Sequence, residues 1–527
     1  MEKGVFIFVV GLAAYIRLAH ASLEMVWVKD ATASFQTDKR TLGELDLPNE
    51  LTFHLKRGTD ALTLNLMKNH AINPNADVYF AHKLQDGKSY FVKSENAIKS
   101  DVAYYQDIAN GAYMTVRCVK RSNEECDRVI NGNIRIGDID YDLQPVVADA
   151  TSRNLFQDQR VLGKRYVLQA HTFSRETNSV EDVEDIQERT EQRFEEILQQ
   201  LNGQHKNRHF RRADASLPSQ NVADLHNGAS SDKSSRSRED YYVDILVMID
   251  PGLWELHSSL VKTSNFEAKR EKVKVKIREY FSHIINGVNL RYKEIDDPTI
   301  SITVTLSGFL FFQTEGIFPH LVSKVDVING TKYIEREKYL FDLFYWEYNG
   351  TDRVKEFDQA LLFTRYDLYG NYTSNNRMNG VSFTGGVCIE GRRFSIIEAS
   401  DYSLTMRTAA HELGHGLGAV HDGERDAKDC KASDLFLMAP LMYSPNIKKN
   451  YTKNPWIFSN CSVNAFKKTL KFRACVKVKG NVYDEYHWNS YTMKEPGEVY
   501  SLDHQCSIAN GGKSKYCGVR ALCVCAS

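Results

Sequence analysis

The segment Thr408-Ala409-Ala410-His411-Glu412-Leu413-Gly414-His415-Gly416-Leu417-Gly418-Ala419-Val420-His421-Asp422 constrains this 527-residue chain more than any other feature. His411 and His415 are four residues apart. On an α-helix both imidazoles then lie on one face, with Cβ atoms about 5–6 Å apart. That separation suits two nitrogens each ~2.0–2.1 Å from one zinc ion. Glu412 follows the first ligand and projects to the side, where it reaches a water at the metal rather than the metal itself. Gly418, three residues past His415, takes readily to the left-handed conformation that ends a helix. The turn then returns His421 as a third ligand. Three histidines leave the fourth position for water, the mark of a catalytic rather than a structural zinc site. H-E-x-x-H alone recurs by chance. The longer H-E-x-x-H-x-x-G-x-x-H-D pattern fixes six positions at set spacing, and it points to a zinc hydrolase.

The N-terminus implies export. MEKGVFIFVVGLAAYIRLAHAS places Lys3 before an apolar run, Val5 to Ile16, that is too short to span a bilayer. Ala19-His20-Ala21 fits small-x-small cleavage, so residues 1–21 read as a signal peptide and the expected location is extracellular. Nothing later is apolar for ~20 residues, so no membrane span is expected. An oxidising compartment permits disulfides. Eight of the ten cysteines, at 388, 430, 461, 475, 506, 517, 523 and 525, crowd the C-terminal part. Five N-x-[ST] sequons, at Asn329, Asn349, Asn371, Asn450 and Asn460, read as glycosylated surface loops. The 67 Lys+Arg against 68 Asp+Glu leave a formal charge of −1, which excludes a strongly basic nucleic-acid binder.

Residues 22–212 read as a globular pro-region. Near its end Val183, Ile186, Phe194, Ile197, Leu198 and Leu201 recur at helical spacing. Polar composition then marks a linker, assigned to 213–240. The R-x-x-R spacing ending at Arg211, and Arg236-Ser237-Arg238, are basic sites of the kind proprotein convertases cut, so processing is expected near Arg211 or Arg238. From 241 to 478 the pattern turns regular. Tyr242–Ile249 reads as a buried strand, 266–293 as a long helix, and Thr299–Leu306, with strict alternation, as a half-buried strand. Ala360–Thr364 and Gly380–Thr384 read as further strands. The expected architecture is α/β with a mostly parallel sheet. The tail, 479–527, has four cysteines and little apolar periodicity, so disulfides stand in for a core there. Cys118 and Cys126 most simply bridge within the pro-region, with a zinc-binding latency thiol as the alternative.

The histidine motif is similar to that of the metzincin metallopeptidases, and Asp422 directly after the third histidine resembles their reprolysin/adamalysin (ADAM-like) branch. Leu437-Met438-Ala439-Pro440 resembles the Met-turn that underlies the zinc, with Met438 fitting better than Met442. Phe458-Ser459-Asn460-Cys461-Ser462 resembles the start of the last catalytic-domain helix. Asn286-Gly287-Val288-Asn289-Leu290-Arg291-Tyr292, followed by Asp297-Pro298-Thr299-Ile300, resembles the family's long helix and second strand. The likeness covers 241–478. Beyond it, Pro496-Gly497-Glu498-Val499-Tyr500-Ser501-Leu502-Asp503-His504-Gln505-Cys506 resembles the opening of the cysteine-rich segment in ADAMTS-type proteins, and the layout resembles the short secreted metalloproteases of tick saliva.

The resemblance implies a metzincin catalytic domain with zinc in its cleft, preceded by a pro-domain and followed by a small disulfide-rich segment. It implies zinc on His411, His415 and His421, and Glu412 shuttling a proton from water to the leaving amine. It implies a structural Asp422 and a Cys388–Cys475 bridge, which leaves Cys430 and Cys461 within the domain. It also implies calcium on Asp244, Asp358 and the backbone of Cys475, although Val478 stands where the family has an Asn ligand. The expected protein is a secreted zinc endopeptidase made as a zymogen, with extracellular proteins as substrates, matrix or clotting proteins such as fibrinogen among them. A second reading is a catalytically weak protein that binds extracellular proteins through its tail.

Overall fold

The computed structural model describes residues 23–32, 47–83, 89–94, 100–120, 126–137, 139–146, 164–170, 238–314, 316–318, 323–349, 357–370, 379–400, 402–440 and 453–478. The expected signal peptide, the helix ending at Leu201, the Arg211 site, Met442, the sequons at Asn371 and Asn450, and the whole tail with Cys506, Cys517, Cys523 and Cys525 lie outside these residues. By contacts the chain divides into residues 1–480 and the tail from Asn481. No helix among the described residues is long and apolar enough to cross a membrane.

Among the described residues ten strands precede the linker: β1 (Leu23–Asp30), β2 (Glu50–Arg57), β3 (Asp60–Lys68), β4 (Asp77–Lys83), β5 (Ser89–Lys93), β6 (Val102–Asp107), β7 (Ala112–Lys120), β8 (Cys126–Ile136), β9 (Ile139–Pro145) and β10 (Lys164–Ala170). Eight of them close a barrel in the order β1-β10-β9-β8-β7-β6-β3-β2. Alternation along each strand sends one face inward, and Phe53, Leu64, Leu66, Met114, Ile134 and Leu143 fill the interior.

β4 and β5 leave that barrel. They extend a seven-stranded sheet with β11 (Glu239–Ile249), β12 (Ile300–Phe311), β15 (Gln359–Thr364), β17 (Gly380–Ser382) and β18 (Phe394–Glu398), in the order β17-β18-β15-β11-β12-β4-β5. The sheet is parallel from β18 to β4, and β17 and β5 run antiparallel at its two ends. The expected mostly parallel sheet is therefore present, with two strands contributed by the N-terminal region. β11 begins at Glu239, two residues inside the segment assigned to the linker, and Arg238 is exposed and pairs with Asp240. β13 (Val325–Ile328), β14 (Thr331–Glu335) and β16 (Asp367–Tyr369) make a small third sheet. Asn329 and Gly330 turn β13 into β14 at φ +51° and +83°, so the sequon's Asn-Gly pair is also a tight hairpin turn.

β12 outruns its expected end at Leu306. Beyond that residue it is buried on both faces, because Phe309 and Phe311 enter one hydrophobic core while Leu310 and Phe312 enter another. Alternation is lost wherever a strand is covered on two sides. Of the helices, α1 is Pro251–Ser259, α2 Phe266–Lys293, α3 Arg336–Asn349, α4 Tyr402–Gly416 and α5 Asn460–Leu470. α2 matches the expected 266–293 and starts at an Asn265 cap that accepts from the Ala268 N–H at 2.9 Å. Gly287 interrupts its helical pattern for a packing reason. A Cβ there would sit 2.7 Å from both Met406 and the Tyr113 ring.

His283, on the same helix, is buried against the barrel, with its ring nitrogens 2.8 Å from Thr115 Oγ1 and 3.3 Å from Asn133 Oδ1. Burial pushes its pKa down to about 4, against a smaller opposing pull from Asp142. The unfolded chain takes up this proton below about pH 6.5, whereas the folded chain resists until about pH 4. Stability is therefore lost as pH falls through that window, by up to about 3 kcal/mol from this residue. Urea midpoints at pH 7 and 4.5 are expected to differ less in His283→Gln than in the parent.

Candidate metal centre

α4 is held by its apolar face. Met406, Ala409, Ala410 and Leu413 are buried in the main core, and His411, Glu412 and His415 take other positions on the helix. The helix ends as its sequence implies. Gly418 adopts φ +103° and donates to the His415 carbonyl at 2.8 Å, while Ala419 N–H reaches the Gly414 carbonyl at 3.0 Å. The reversal brings His421 back over the helix.

The three Nε2 atoms form a near-equilateral triangle with sides of 3.2, 3.2 and 3.3 Å. A tetrahedral ion with bonds of ~2.0–2.1 Å separates its ligand nitrogens by about 3.3 Å. Each Nδ1 faces an acceptor: His411 the Leu437 carbonyl at 2.7 Å, His415 the Ala419 carbonyl at 2.8 Å, and His421 Glu424 Oε1 at 3.2 Å. Those bonds fix the tautomer with the proton on Nδ1, so three Nε2 lone pairs converge on one point. Burial, reinforced by the neighbouring imidazoles, holds the His411 pKa well below its ordinary value and His415 down to about 3. Converging lone pairs on neutral rings repel one another unless a cation sits between them. The donor set therefore fits zinc.

Glu412 is 5% exposed, and its Oε2 has no hydrogen-bond partner among the described residues. Burial pushes its carboxyl up to about 8, with Arg336 pulling the other way. A dication at the triad would oppose that rise. Gly380 opens β17 directly against this carboxylate, and a Cβ there would lie 2.5 Å from Glu412 Oε1.

Leu437-Met438-Ala439-Pro440, the segment that resembles a Met-turn, lies against α4. Met438 is fully buried, and a Cβ on Gly414 would come 2.6 Å from its Sδ, so the thioether packs under the ligand helix while Leu437 orients His411. Met438→Ala is expected to lower stability by about 2–5 kcal/mol through the cavity it leaves, read as a lower denaturant midpoint with the slope unchanged. Asp422 is buried. It accepts from Ser459 Oγ at 2.6 Å, and its own N–H donates to the Met438 carbonyl at 3.0 Å. It thus ties the third ligand to the Met-turn and to the start of α5, where Ser459 caps the helix by accepting from Ser462 N–H.

Both expected catalytic-domain disulfides are present, Cys388–Cys475 and Cys430–Cys461. Cys118 is also disulfide-bonded, which removes it as a latency thiol. Asp244, Asp358 and Cys475 do come close together. Asp358 Oδ2 accepts from the Asp244 N–H at 2.9 Å, Asp244 accepts from the Thr305 hydroxyl, and an oxygen of Asp358 lies within 4.8 Å of the bridged sulfurs of Cys388 and Cys475. Calcium takes six to eight oxygens, and two carboxylates already bonded to protein donors, plus one carbonyl, fall short of that.

Three features escaped the sequence reading. Glu424 orients His421, and an acid three residues past the last histidine is the signal that was available. Gly380 makes room for Glu412, which nothing local announces. Arg407, one turn before His411, is 1% exposed and donates from Nε to the Pro455 carbonyl at 3.0 Å.

Three imidazoles converging from a helix and its returning turn, with a buried glutamate beside them and a methionine beneath, form a donor set that fits a metzincin-type zinc site. Residues 258–477 match the Reprolysin (M12B) family zinc metalloprotease, so this part of the chain is similar to a reprolysin-type metzincin domain. Among curated relatives, "A disintegrin and metalloproteinase with thrombospondin motifs like" of Bombyx mori is 27% identical over 51% of this chain and 37% of its own length. The "motifs gon-1" member of Caenorhabditis elegans is 24% identical over 55% of this chain and 13% of its own length. "Venom metalloproteinase 3" of Eulophus pennicornis is 26% identical over 45% of this chain and 52% of its own length. The chain thus spans about half or less of each of these relatives.

Proposed function

We propose that the chain is exported as a zymogen, is processed near Arg211 or Arg238, and hydrolyses peptide bonds within extracellular proteins. The observation that carries this reading is the triangle of Nε2 atoms beside a buried Glu412 carboxylate whose Oε2 has no partner among the described residues. Zinc, when bound by His411, His415 and His421, supplies Lewis-acid polarisation of the scissile carbonyl and a lowered pKa for water. The rest falls to the chain's own groups. Glu412 takes the proton of the attacking water on its free carboxylate oxygen and hands it to the leaving amine nitrogen. Its low-dielectric surroundings favour holding that proton between the two transfers. β17, the terminal strand of the sheet, begins at Gly380 against Glu412, and a strand in that position offers an extended peptide a backbone edge to pair with. The side-on acceptors on Leu437, Ala419 and Glu424 keep the three rings aimed while substrate enters and leaves.

The test is cleavage of casein and fibrinogen by the processed chain, with and without a zinc chelator. Cleavage is expected to stop on chelation and to return when zinc is restored. Cleavage that survives complete removal of zinc, or none by chain whose pro-region has been cut, as shown by N-terminal sequencing, would overturn the reading.

A further inference from the structure

We propose that the N-terminal barrel with its β4–β5 hairpin is a standing subunit of the catalytic half, and that cutting the chain between residues 202 and 238 leaves the two pieces bound without a covalent link. The proposal rests on the processing reading above only for its biological setting, since its test needs no catalysis. Three observations carry it.

First, β4 pairs in parallel with β12 from Asp77 against Gly308 to Phe80 against Phe311. An N-terminal strand therefore covers what is otherwise the edge of the catalytic sheet, and an uncovered apolar edge is an aggregation hazard. Second, the core is continuous. Ile72, Val78, Phe80 and Tyr113 belong to the same buried cluster as Met406 and Leu413 of the ligand-bearing helix, and the Tyr113 ring occupies the notch left by Gly287. Third, the contact with α2 includes a buried polar network. Asn286 accepts from Asn69 Nδ2 at 2.7 Å and donates to the Tyr105 carbonyl at 3.1 Å, its own carbonyl accepts from Gln106 at 2.8 Å, and Arg135 pairs with Glu294 at 3.1 Å. Buried networks of this kind set a single docking geometry.

The described hydrogen-bond partners of the three histidines and of Glu412 all lie between Gly385 and Leu437, and none belongs to the barrel. Strand addition and a core shared with α2 and α4 tie the N-terminal half to the catalytic half, and none of these described contacts lies in the linker.

The test uses the full chain carrying Glu412→Ala, to prevent self-digestion, with a site-specific protease sequence inserted between Gly228 and Ala229. After complete cutting, a non-reducing denaturing gel establishes that the pieces are not disulfide-linked. Gel filtration in physiological salt is expected to show both fragments in one peak at 1:1. The amides of Gly308–Phe311 are expected to keep their hydrogen-exchange protection. Separate elution of the barrel, or rapid exchange at those four amides after cutting, would overturn the proposal. Asn286→Ala is expected to lower the urea concentration that releases half the barrel, and an unchanged midpoint would refute the assigned interface.

Discussion

Glu412→Ala is expected to lower kcat/KM on casein by about 10³-fold, within the 10²–10⁴ range that general acid–base groups contribute, while one zinc stays bound per chain. The two readouts separate because the carboxylate and the ligands have different supports. His411, His415 and His421 are aimed by Leu437, Ala419 and Glu424, none of which contacts the Glu412 carboxylate. Removing that side chain therefore leaves the Nε2 triangle in place. What is lost is the group that moves the proton, and neither Gly380 nor any other described neighbour offers a replacement base. Glu412→Gln keeps the shape and is expected to behave alike, which excludes a packing defect as the cause. Metal content by mass spectrometry, beside casein kinetics on the same preparation, decides the matter. Near-normal turnover in either variant would remove Glu412 from the chemistry. Zinc loss would mean that the carboxylate is part of the metal site itself.

Gly418→Ala is expected to lower stability by about 3 kcal/mol or more and the melting temperature by roughly 10 °C, with zinc content falling as well. Two effects add. At φ +103° any Cβ strains the backbone, an effect of about 1–2 kcal/mol. In addition the new methyl would overlap Thr469 Oγ1 on α5, and close-packed interiors relieve such overlap only by moving backbone. The segment that would move carries Ala419, which orients His415, and leads into His421. Gly137→Ala supplies the comparison. It too has a positive φ, +62°, but nothing lies within 4 Å of its would-be Cβ, so only the conformational part, about 1–2 kcal/mol, is expected. Equal losses in the two variants would show that the contact with Thr469 is unimportant. Calorimetry and zinc content together make the comparison.

Much of the centre was legible because it is local. The i, i+4 histidines, the glycine that breaks the helix and the third histidine all sit within eleven residues, so helix geometry and backbone sterics place them with little help from elsewhere. α2 was legible as a helix over 266–293, and the structure adds the Asn265 cap that starts it and basic residues in its last turn. The long-range pieces were not legible from periodicity. Asp422 meets Ser459 and Gly380 meets Glu412 across 37 and 32 residues, and no local pattern states which distant chain will arrive. The likeness to reprolysins supplied the Asp422 role and the two disulfide pairings, and it supplied nothing for Gly380 or Glu424.

What the amino-acid sequence determined by itself is the identity and order of the metal-binding groups, the helix that carries two of them, and the turn that returns the third, since each depends on interactions within a few residues. Tertiary structure alone decided the rest. It aimed the three Nδ1 protons outward so that the lone pairs converge. It buried the Glu412 carboxylate with its Oε2 unpartnered among the described residues. It also placed β4 and β5 on the catalytic sheet rather than in the barrel that flanks them in sequence. A strand's alternation records that it has a buried face and leaves its neighbour unspecified. That neighbour is chosen by which edge offers both free backbone groups and an unfilled core, and at β12 the one on offer was an edge backed by Phe309 and Phe311.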